Sequence, residues 1–122
     1  MSSRIEQIHN ILADLKAAHS GVEGCILVTA QGLPIDSVLE STADEDLISA
    51  MTASISSVSE RVTKELGKGQ INNISILGDH GYIILLDVTG RAVLTILAKT
   101  DANLGLILLL SKKSCKKLSA LI

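Results

Sequence analysis

The chain has 122 residues, the usual size of one domain, and 47% of them are hydrophobic. Leucine, isoleucine and valine occupy 41 positions, a share that excludes intrinsic disorder. The net charge of −2 and a single aromatic residue, Tyr82, argue against nucleic-acid binding, which usually requires a basic surface or stacking rings. We therefore predict one globular domain over residues 1–122 that binds no nucleic acid.

The sequence shows no signal-peptide pattern and no apolar segment of membrane-spanning length. Its longest apolar run, residues 104–110, has seven residues, whereas a membrane helix needs about 20. Cys25 and Cys115 lie in apolar surroundings without a nearby second cysteine, which is typical of buried thiols in a reducing compartment. We expect a cytoplasmic protein without direct membrane insertion.

Helical and extended patterns follow one another in the order α-β-β-α-β-β-β-α. Helices are predicted over residues 4–18, 43–66 and 102–121, and strands over residues 24–30, 33–39, 71–77, 82–88 and 92–98. Ser3 and Thr42 begin capping boxes, Asp101 is expected to cap the last helix, and Pro34 places its strand at a sheet edge. The last two strands are nearly continuous in apolar residues, so we expect both of their faces to be covered. These elements predict a three-layer α/β/α sandwich, in the α+β class, around a five-stranded antiparallel sheet.

The second helix carries an apolar stripe, which is expected to cover the sheet. Its members are Leu47, Ile48, Met51, Ile55, Val58, Val62 and Leu66. Small and polar residues flank the stripe: Ala50, Ser54, Ser57 and Arg61 on one side, and Ser49, Thr52, Ser56, Ser59 and Glu60 on the other. These flanks have two interpretations, an ordinary helix surface or a place where another helix approaches closely.

The last helix is expected to face the sheet through a regularly spaced set of residues and to be buried more deeply at its start. The set is Leu104, Ile107, Ser111, Cys115 and Leu118. We expect the first helix, through Ile8 and Leu12, to cover Leu106 and Leu109; exposure of both leucines would instead indicate a further protein interface. A basic strip of Lys112, Lys113, Lys116 and Lys117 is either a solvated helix end or a surface for an acidic partner.

No catalytic constellation is visible in the sequence. Phosphate-binding glycine motifs and a nucleophile elbow are absent, and His9, His19 and His80 do not have the spacing of metal ligands. Asp87 lies in an apolar strand and has two interpretations, a perturbed acid or a structural carboxylate held by a turn amide, of which the structural one is favoured. We therefore predict no catalytic residue, no cofactor and no metal.

Two segments resemble the Roadblock family of roadblock/dynein light-chain domains. Residues 24–35, GCILVTAQGLPI, are similar to its first hairpin, and residues 100–107, TDANLGLI, are similar to the opening of its last helix. Leu108 and Leu110 depart from the polar residues expected there. The resemblance implies a non-enzymatic homodimeric or heterodimeric platform that binds a small Ras-like GTPase and activates it indirectly, if at all. Two alternatives stay open: a small-molecule sensor, and a purely structural subunit of a larger complex.

The resemblance also implies which surfaces would be used. A homodimer would pair one edge strand with its copy and pack the long helices together, through Ala50, Ser54, Ser57, Arg61, Ile71, Asn73, Ile74, Ser75 and Ile76. The GTPase contact is expected on the opposite flank of the long helix, at Ser49, Ser56 and Glu60.

Overall fold

Five antiparallel strands form one sheet, and three helices cover its two faces, in a computed structural model that describes residues 3–122. The helices are α1 (Arg4–Ala18), α2 (Glu45–Glu65) and α3 (Leu104–Ser119). The strands are β1 (Val22–Thr29), β2 (Pro34–Val38), β3 (Ile74–Gly78), β4 (Gly81–Val88) and β5 (Ala92–Ala98). The predicted fold class and element order are confirmed. Among the described residues, no helix combines the length and apolar character needed to cross a bilayer.

The strand order β2-β1-β5-β4-β3 places β5 at the centre and leaves β2 and β3 at the edges. Pro34 opens β2, which confirms the predicted edge strand, because proline has no N–H to donate to a ladder. The β1–β2 register shifts at Leu27 and Val28, which marks a bulge. On the same edge, His9 Nδ1 of α1 lies 2.8 Å from Asp36 Oδ2 of β2, so helix and edge strand are linked.

Helices α1 and α3 pack together on one face of the sheet, and α2 lies over β1, β2 and β5 on the other. Because side chains alternate along a strand, the sheet is apolar on both sides. Leu27 and Leu94 face α1 and α3, where they join Leu12 and Ile107 in the main core. β5 is covered on both faces as predicted, but Ile83 of β4 is 37% exposed.

Several predicted boundaries differ from the structure, and side-chain acceptors explain the starts of α2 and α3. α2 is capped by Asp44 rather than Thr42, since Asp44 Oδ1 accepts a hydrogen bond from the Leu47 amide at 3.0 Å. α3 is capped by Asn103 rather than Asp101, through the Leu106 amide at 3.1 Å. Ser3 caps α1 as predicted. β3 begins at Ile74, so its predicted first three residues lie in the preceding loop.

The prediction that the apolar stripe of α2 covers the sheet is wrong. Helix α2 instead packs on the sheet through short hydroxyl side chains. Its buried residues are Ser49 and Thr52. Thr52 Oγ1 lies 3.1 Å from Thr95 Oγ1 of β5, and Ser49 Oγ donates to the Glu45 carbonyl at 2.8 Å. Both hydroxyls are therefore satisfied within the protein, and their small volume lets the helix lie close to the strands.

Helix α3 faces the sheet with the predicted residues, but its outer side differs from the prediction. Ile107, Ser111 and Leu118 are buried, and Leu104 and Cys115 are half-buried. The buried positions are spread along the whole helix, so its start is not more deeply buried than its end. Ile8 and Leu12 of α1 lie in the main core and do not cover the outer leucines: Leu106 is 40% exposed and Leu109 is 53% exposed.

Both cysteines are free thiols with raised pKa values. Burial, with a smaller contribution from the Asp36 carboxylate, raises the pKa of Cys25 to about 12. Burial raises the pKa of Cys115 to about 11, again with a nearby carboxylate, Asp87, acting in the same direction. Neither thiol is activated as a nucleophile near neutral pH, because both remain protonated.

The hydroxyl pair under α2 gives a double-mutant prediction. Thr52→Val or Thr95→Val alone leaves the other buried hydroxyl without its hydrogen-bond partner. Each single substitution is therefore expected to lower the free energy of unfolding by about 1–3 kcal/mol. Replacing both removes the pair together, so the double variant should be more stable than the sum of the two single losses implies. Urea unfolding of the four proteins measures these terms. Strict additivity of the two losses would contradict the pairing.

The thiols give a pH prediction. A folded pKa above the unfolded value means that unfolding releases protons between about pH 9 and pH 11–12, so the free energy of unfolding falls as pH rises through that window. The double variant Cys25→Ala, Cys115→Ala should show a shallower fall from pH 8 to pH 10 in urea unfolding. Slopes, not absolute values, are compared, because alanine also leaves a cavity. Equal slopes in the two proteins would contradict the raised pKa values of Cys25 and Cys115.

Candidate functional site

The position of α2 is set by a close contact with the β1–β2 turn. Gly32 has a φ of +93°, a conformation that L side chains rarely adopt, and a Cβ there would lie 3.2 Å from the Ala53 Cβ and 3.5 Å from the Ser49 carbonyl oxygen. The turn therefore lies against the N-terminal half of the helix. Together with the Thr52–Thr95 hydroxyl pair, this contact fixes which sides of α2 face away from the sheet.

One outward side of α2 is an exposed apolar stripe. It consists of Leu47, Met51, Val58, Val62 and Leu66, each between 48% and 69% exposed. Ile48 and Ile55, at the edge of this stripe, are half-buried. Five large aliphatic side chains aligned along one helix are far more than the isolated apolar residues of an ordinary protein surface. We call this set the α2 apolar stripe.

The free edge strand β3 adds further apolar surface on the same face of the sheet as α2. Its register pairs Ile74 with Leu85 and Ile76 with Ile83, so these four residues point to the α2 face. Ile76 and Ile83 are each 37% exposed. Of the predicted strand contacts, Ile74, Ser75 and Ile76 lie on β3, whereas Ile71 and Asn73 lie in the loop before it.

The predicted helix contacts lie on the outermost side of α2. Ala50, Ser54, Ser57 and Arg61 are all exposed, and Ser54 Oγ donates to the Ala50 carbonyl at 3.1 Å. The Arg61 side chain is 83% exposed and its Nε lies 3.9 Å from Glu65 Oε1, a surface pair within one helix. Apart from Arg61, the side chains on this side are short and exposed, and the longer side chains of the α2 apolar stripe lie next to them.

A groove of about 600 Å³ separates the other flank of α2 from the ends of the strands. From α2 it is lined by Ala53, Ser56, Ser57, Glu60 and Lys64. Its floor and far wall include the loop residue Ile71, and Ile74, Leu85 and Val93 of the sheet. Ser57, one of the predicted helix contacts, thus also lines the groove.

The groove brings together two of the three residues predicted to contact a GTPase. Ser56 and Glu60 line it, and Glu60 Oε1 lies 3.3 Å from Lys64 Nζ in an exposed pair. The third, Ser49, is fully buried under the helix, so its assignment to a contact surface is wrong. Asp87, at the groove wall, accepts a hydrogen bond from the Gly90 amide at 2.9 Å, which confirms its predicted structural role.

Nothing in this region has the arrangement of a catalytic or metal centre. Burial raises the pKa of both thiols, so Cys25 and Cys115 stay protonated and are poor nucleophiles. Among residues 3–122, no group of three or more histidine, cysteine, aspartate or glutamate side chains could hold a metal ion. The site offers an apolar stripe, a strand edge and a polar groove, which suit the binding of other polypeptides.

Sequence reasoning missed the groove and the outward direction of the stripe. Its lining residues come from α2, from the β1–β2 turn, from β3 and the loop before it, and from the β4–β5 hairpin, so no local spacing unites them. One signal was present in the sequence: hydroxyl residues Ser49, Thr52, Ser56 and Ser59 recur at helical spacing. A stripe of this kind can pack on a sheet as readily as an apolar stripe when its hydroxyls bond to backbone carbonyls or to each other.

Comparisons with known proteins agree with this architecture. The family model of the Roadblock/LC7 domain matches residues 9–98. An uncharacterised protein of Methanocaldococcus jannaschii, MJ1340, is 32% identical over 114 residues, which cover 93% of this chain and 98% of that protein. A second protein of that organism, MJ0310, has the same identity and coverage.

Solved structures share the fold at lower sequence identity. MglB of Myxococcus xanthus has a TM-score of 0.90 at 20% identity, over 100% of this chain and 95% of that chain. The gliding protein MglB of Thermus thermophilus has a TM-score of 0.86 at 15% identity, over 99% and 92%. With the family model spanning the sheet from α1 to the end of β5, and relatives spanning nearly the whole chain, the protein belongs to the Roadblock/LC7 family.

Proposed function

We propose that this Roadblock domain is a homodimeric regulator or scaffold of a small Ras-like GTPase, and that it supplies no catalytic group itself. Two observations carry the proposal: the exposed α2 apolar stripe and the free edge of β3. The resemblance of the GLPI and ANLGL segments to the Roadblock family supplies the expected partner class. The groove on the other flank of α2 supplies a surface for that partner.

A second copy of the chain would cover both unpaired features at once. An exposed edge strand with apolar side chains favours pairing with another strand, and antiparallel pairing of β3 with its copy satisfies the open backbone groups. The two-fold axis of such a pair is perpendicular to the sheet, so both α2 helices lie on the same face. Both α2 apolar stripes then face the same side of the extended sheet, and a contact of one stripe with its copy would be isologous, with each patch meeting itself.

The short side chains on α2 are compatible with the same proposed homodimer. Ala50 and Ser54 lie next to the stripe and have short side chains, which allow two helix backbones to approach closely. The proposed dimer contact therefore combines the predicted small residues with Met51 and Val58 of the stripe. This combination is stronger than small residues alone, because burying the large aliphatic side chains supplies the hydrophobic free energy.

The GTPase is proposed to bind at the groove flank of α2, where Ser56 and Glu60 lie. Stimulation of GTP hydrolysis through an inserted arginine requires a mobile side chain that can reach the γ-phosphate. Arg61 lies on the exposed side of α2, outside the groove lining, and Arg91 donates from Nη1 to the Ile122 carbonyl at 3.4 Å. Arg4 begins α1 on the opposite face of the sheet. Any activation is therefore assigned to ordering of the GTPase's own switch residues.

The dimer is tested with charged residues in the two proposed contacts. Val58→Asp in α2 and Ile74→Asp in β3 should each shift the mass in light scattering from twice the 12.8 kDa chain mass toward a single chain at micromolar concentration. A buried carboxylate in an apolar interface without a partner costs several kcal/mol. The matched control is Leu109→Asp on α3, which introduces the same charge at a leucine of similar exposure and should keep the dimer mass.

Circular dichroism of each variant separates loss of the dimer from loss of the fold. Val58 is 63% exposed in the single chain, so the Val58→Asp chain should keep its helix and strand content. A wild-type protein that is monomeric at micromolar concentration would overturn the dimer proposal. So would folded Val58→Asp and Ile74→Asp variants that both retain the wild-type mass.

The GTPase proposal is tested by binding and single-turnover hydrolysis with the small Ras-like GTPases of the same organism. Glu60→Arg should weaken binding at least tenfold, because it reverses a charge in the groove flank and breaks the pair with Lys64. The double variant Arg61→Ala, Arg91→Ala should leave any stimulated hydrolysis within about threefold of wild type. A missing arginine finger would instead lower the rate by about a thousandfold.

The matched control for binding is Glu40→Arg, which makes the same charge reversal at an exposed glutamate outside the groove lining. It should bind the GTPase like wild type. Absence of binding to every GTPase tested, with a dimer present, would overturn the partner and favour the structural-subunit alternative. A thousandfold loss on removal of the two arginines would overturn the indirect mechanism.

A further inference from the structure

The outer side of α3 carries an exposed row of leucines and lysines that neither the core nor the proposed site uses. Leu106, Leu109, Lys113 and Lys116 follow one another at spacings of three, four and three residues, so they lie along one side of the helix. Lys112 and Lys117 flank this row, and all four lysines are exposed. We call these six residues the outer α3 stripe.

Charge is distributed unevenly between this helix and the rest of the chain. α3 contains four lysines and no acidic residue, whereas the chain as a whole has a net charge of −2. The charged residues of the neighbouring helix α1, which are Arg4, Glu6, Asp14 and Lys16, sum to zero. Within residues 3–122, the structure contains no ion pair to any of the four α3 lysines. The stripe is therefore a cationic surface with no internal partner.

The composition of the stripe favours an anionic lipid surface over an acidic protein. Protein interfaces are enriched in arginine and aromatic residues and depleted in lysine, because arginine forms paired, directional bonds to carboxylates. The outer α3 stripe has only lysine and leucine. Lysine acts as a flexible point charge and suits a diffuse field of phosphate groups, and exposed leucines beside lysines are typical of helices that lie on a membrane surface.

We propose that the outer α3 stripe docks the protein peripherally on an anionic membrane surface. The lysines lie at the level of the lipid phosphates, and Leu106 and Leu109 enter the boundary between headgroups and acyl chains. No part of the chain spans the bilayer in this arrangement. The exposure of the two leucines, which α1 leaves uncovered, then has a physical reason.

The proposed homodimer would double this surface, a step that rests on the proposed function. A two-fold axis perpendicular to the sheet keeps both α3 helices on the face opposite the two α2 helices. Because α3 packs on β4, one strand from the β3 edge, the two helices lie three strand spacings apart, about 14 Å. Both stripes then face the same plane, and the GTPase surface faces away from it.

Vesicle co-sedimentation tests the proposal with two lipid compositions, phosphatidylcholine alone and phosphatidylcholine with 30% phosphatidylserine. The wild-type chain should bind the anionic vesicles at 0.1 M salt, lose this binding at 0.5 M salt, and not bind the neutral vesicles. Lys113→Gln with Lys116→Gln should weaken binding at least tenfold, since each lysine contributes about fivefold at such a surface. Leu106→Ser with Leu109→Ser should also weaken it.

The matched control is Lys68→Gln with Lys99→Gln, which removes two exposed lysines elsewhere and should bind within about threefold of wild type. The monomeric Val58→Asp variant keeps the test independent of the dimer: it should bind more weakly and still depend on Lys113 and Lys116. Failure of the dimer or of GTPase binding leaves this lysine dependence intact, so the two proposals fail separately.

Three outcomes would overturn the membrane assignment. One is no binding of wild type to anionic vesicles at 0.1 M salt. Another is equal loss in the stripe and control lysine variants, which would indicate general charge attraction. A third comparison uses polyglutamate: binding to it as strong as to anionic vesicles, with no dependence on the two leucines, would assign the stripe to an acidic polypeptide and also overturn the proposal.

Discussion

The hydroxyl contact between α2 and the sheet determines which surfaces of the protein are available to a partner. Thr52 and Thr95 pair across this layer, Ser49 bonds within its own helix, and Gly32 lets the β1–β2 turn lie against the helix. A helix bound through short polar side chains has its large apolar side chains free for another surface. The α2 apolar stripe and the polar groove lie on either side of this contact, so both positions follow from it.

Most of the fold could be predicted from the sequence because it depends on local patterns. Period-two and period-3.6 hydrophobicity located all eight elements, and α1 and β5 have their predicted bounds. Pro34 indicated its edge strand through a missing N–H, a property of one residue. The helix starts were less reliable at α2 and α3, since several acceptors lie within a few residues and only the one nearest the first free amides becomes the cap.

The candidate site was less predictable because it depends on which surface covers which. A hydrophobic pattern shows that a helix face is kept from water, and it does not show whether the same chain or a second chain excludes that water. This ambiguity explains the wrong assignment of the α2 apolar stripe to the sheet and the wrong cover for Leu109. The β3 edge was predictable from the hairpin order, whereas the groove joins Glu60 to the distant Leu85 and depends on three-dimensional packing.

The two sheet edges differ in a way that bears on how far assembly can proceed. β2 is a short strand that opens with Pro34, carries a bulge beside Val28, and is tied to α1 through His9 and Asp36. Such an edge accepts a further strand poorly, whereas β3 has no comparable block. Sheet extension is therefore possible in one direction, and it ends once two β3 strands meet. A chain with one open edge is thus prevented from assembling into a filament. If two β3 strands pair, only the two β2 edges stay unpaired, and these accept a further strand poorly.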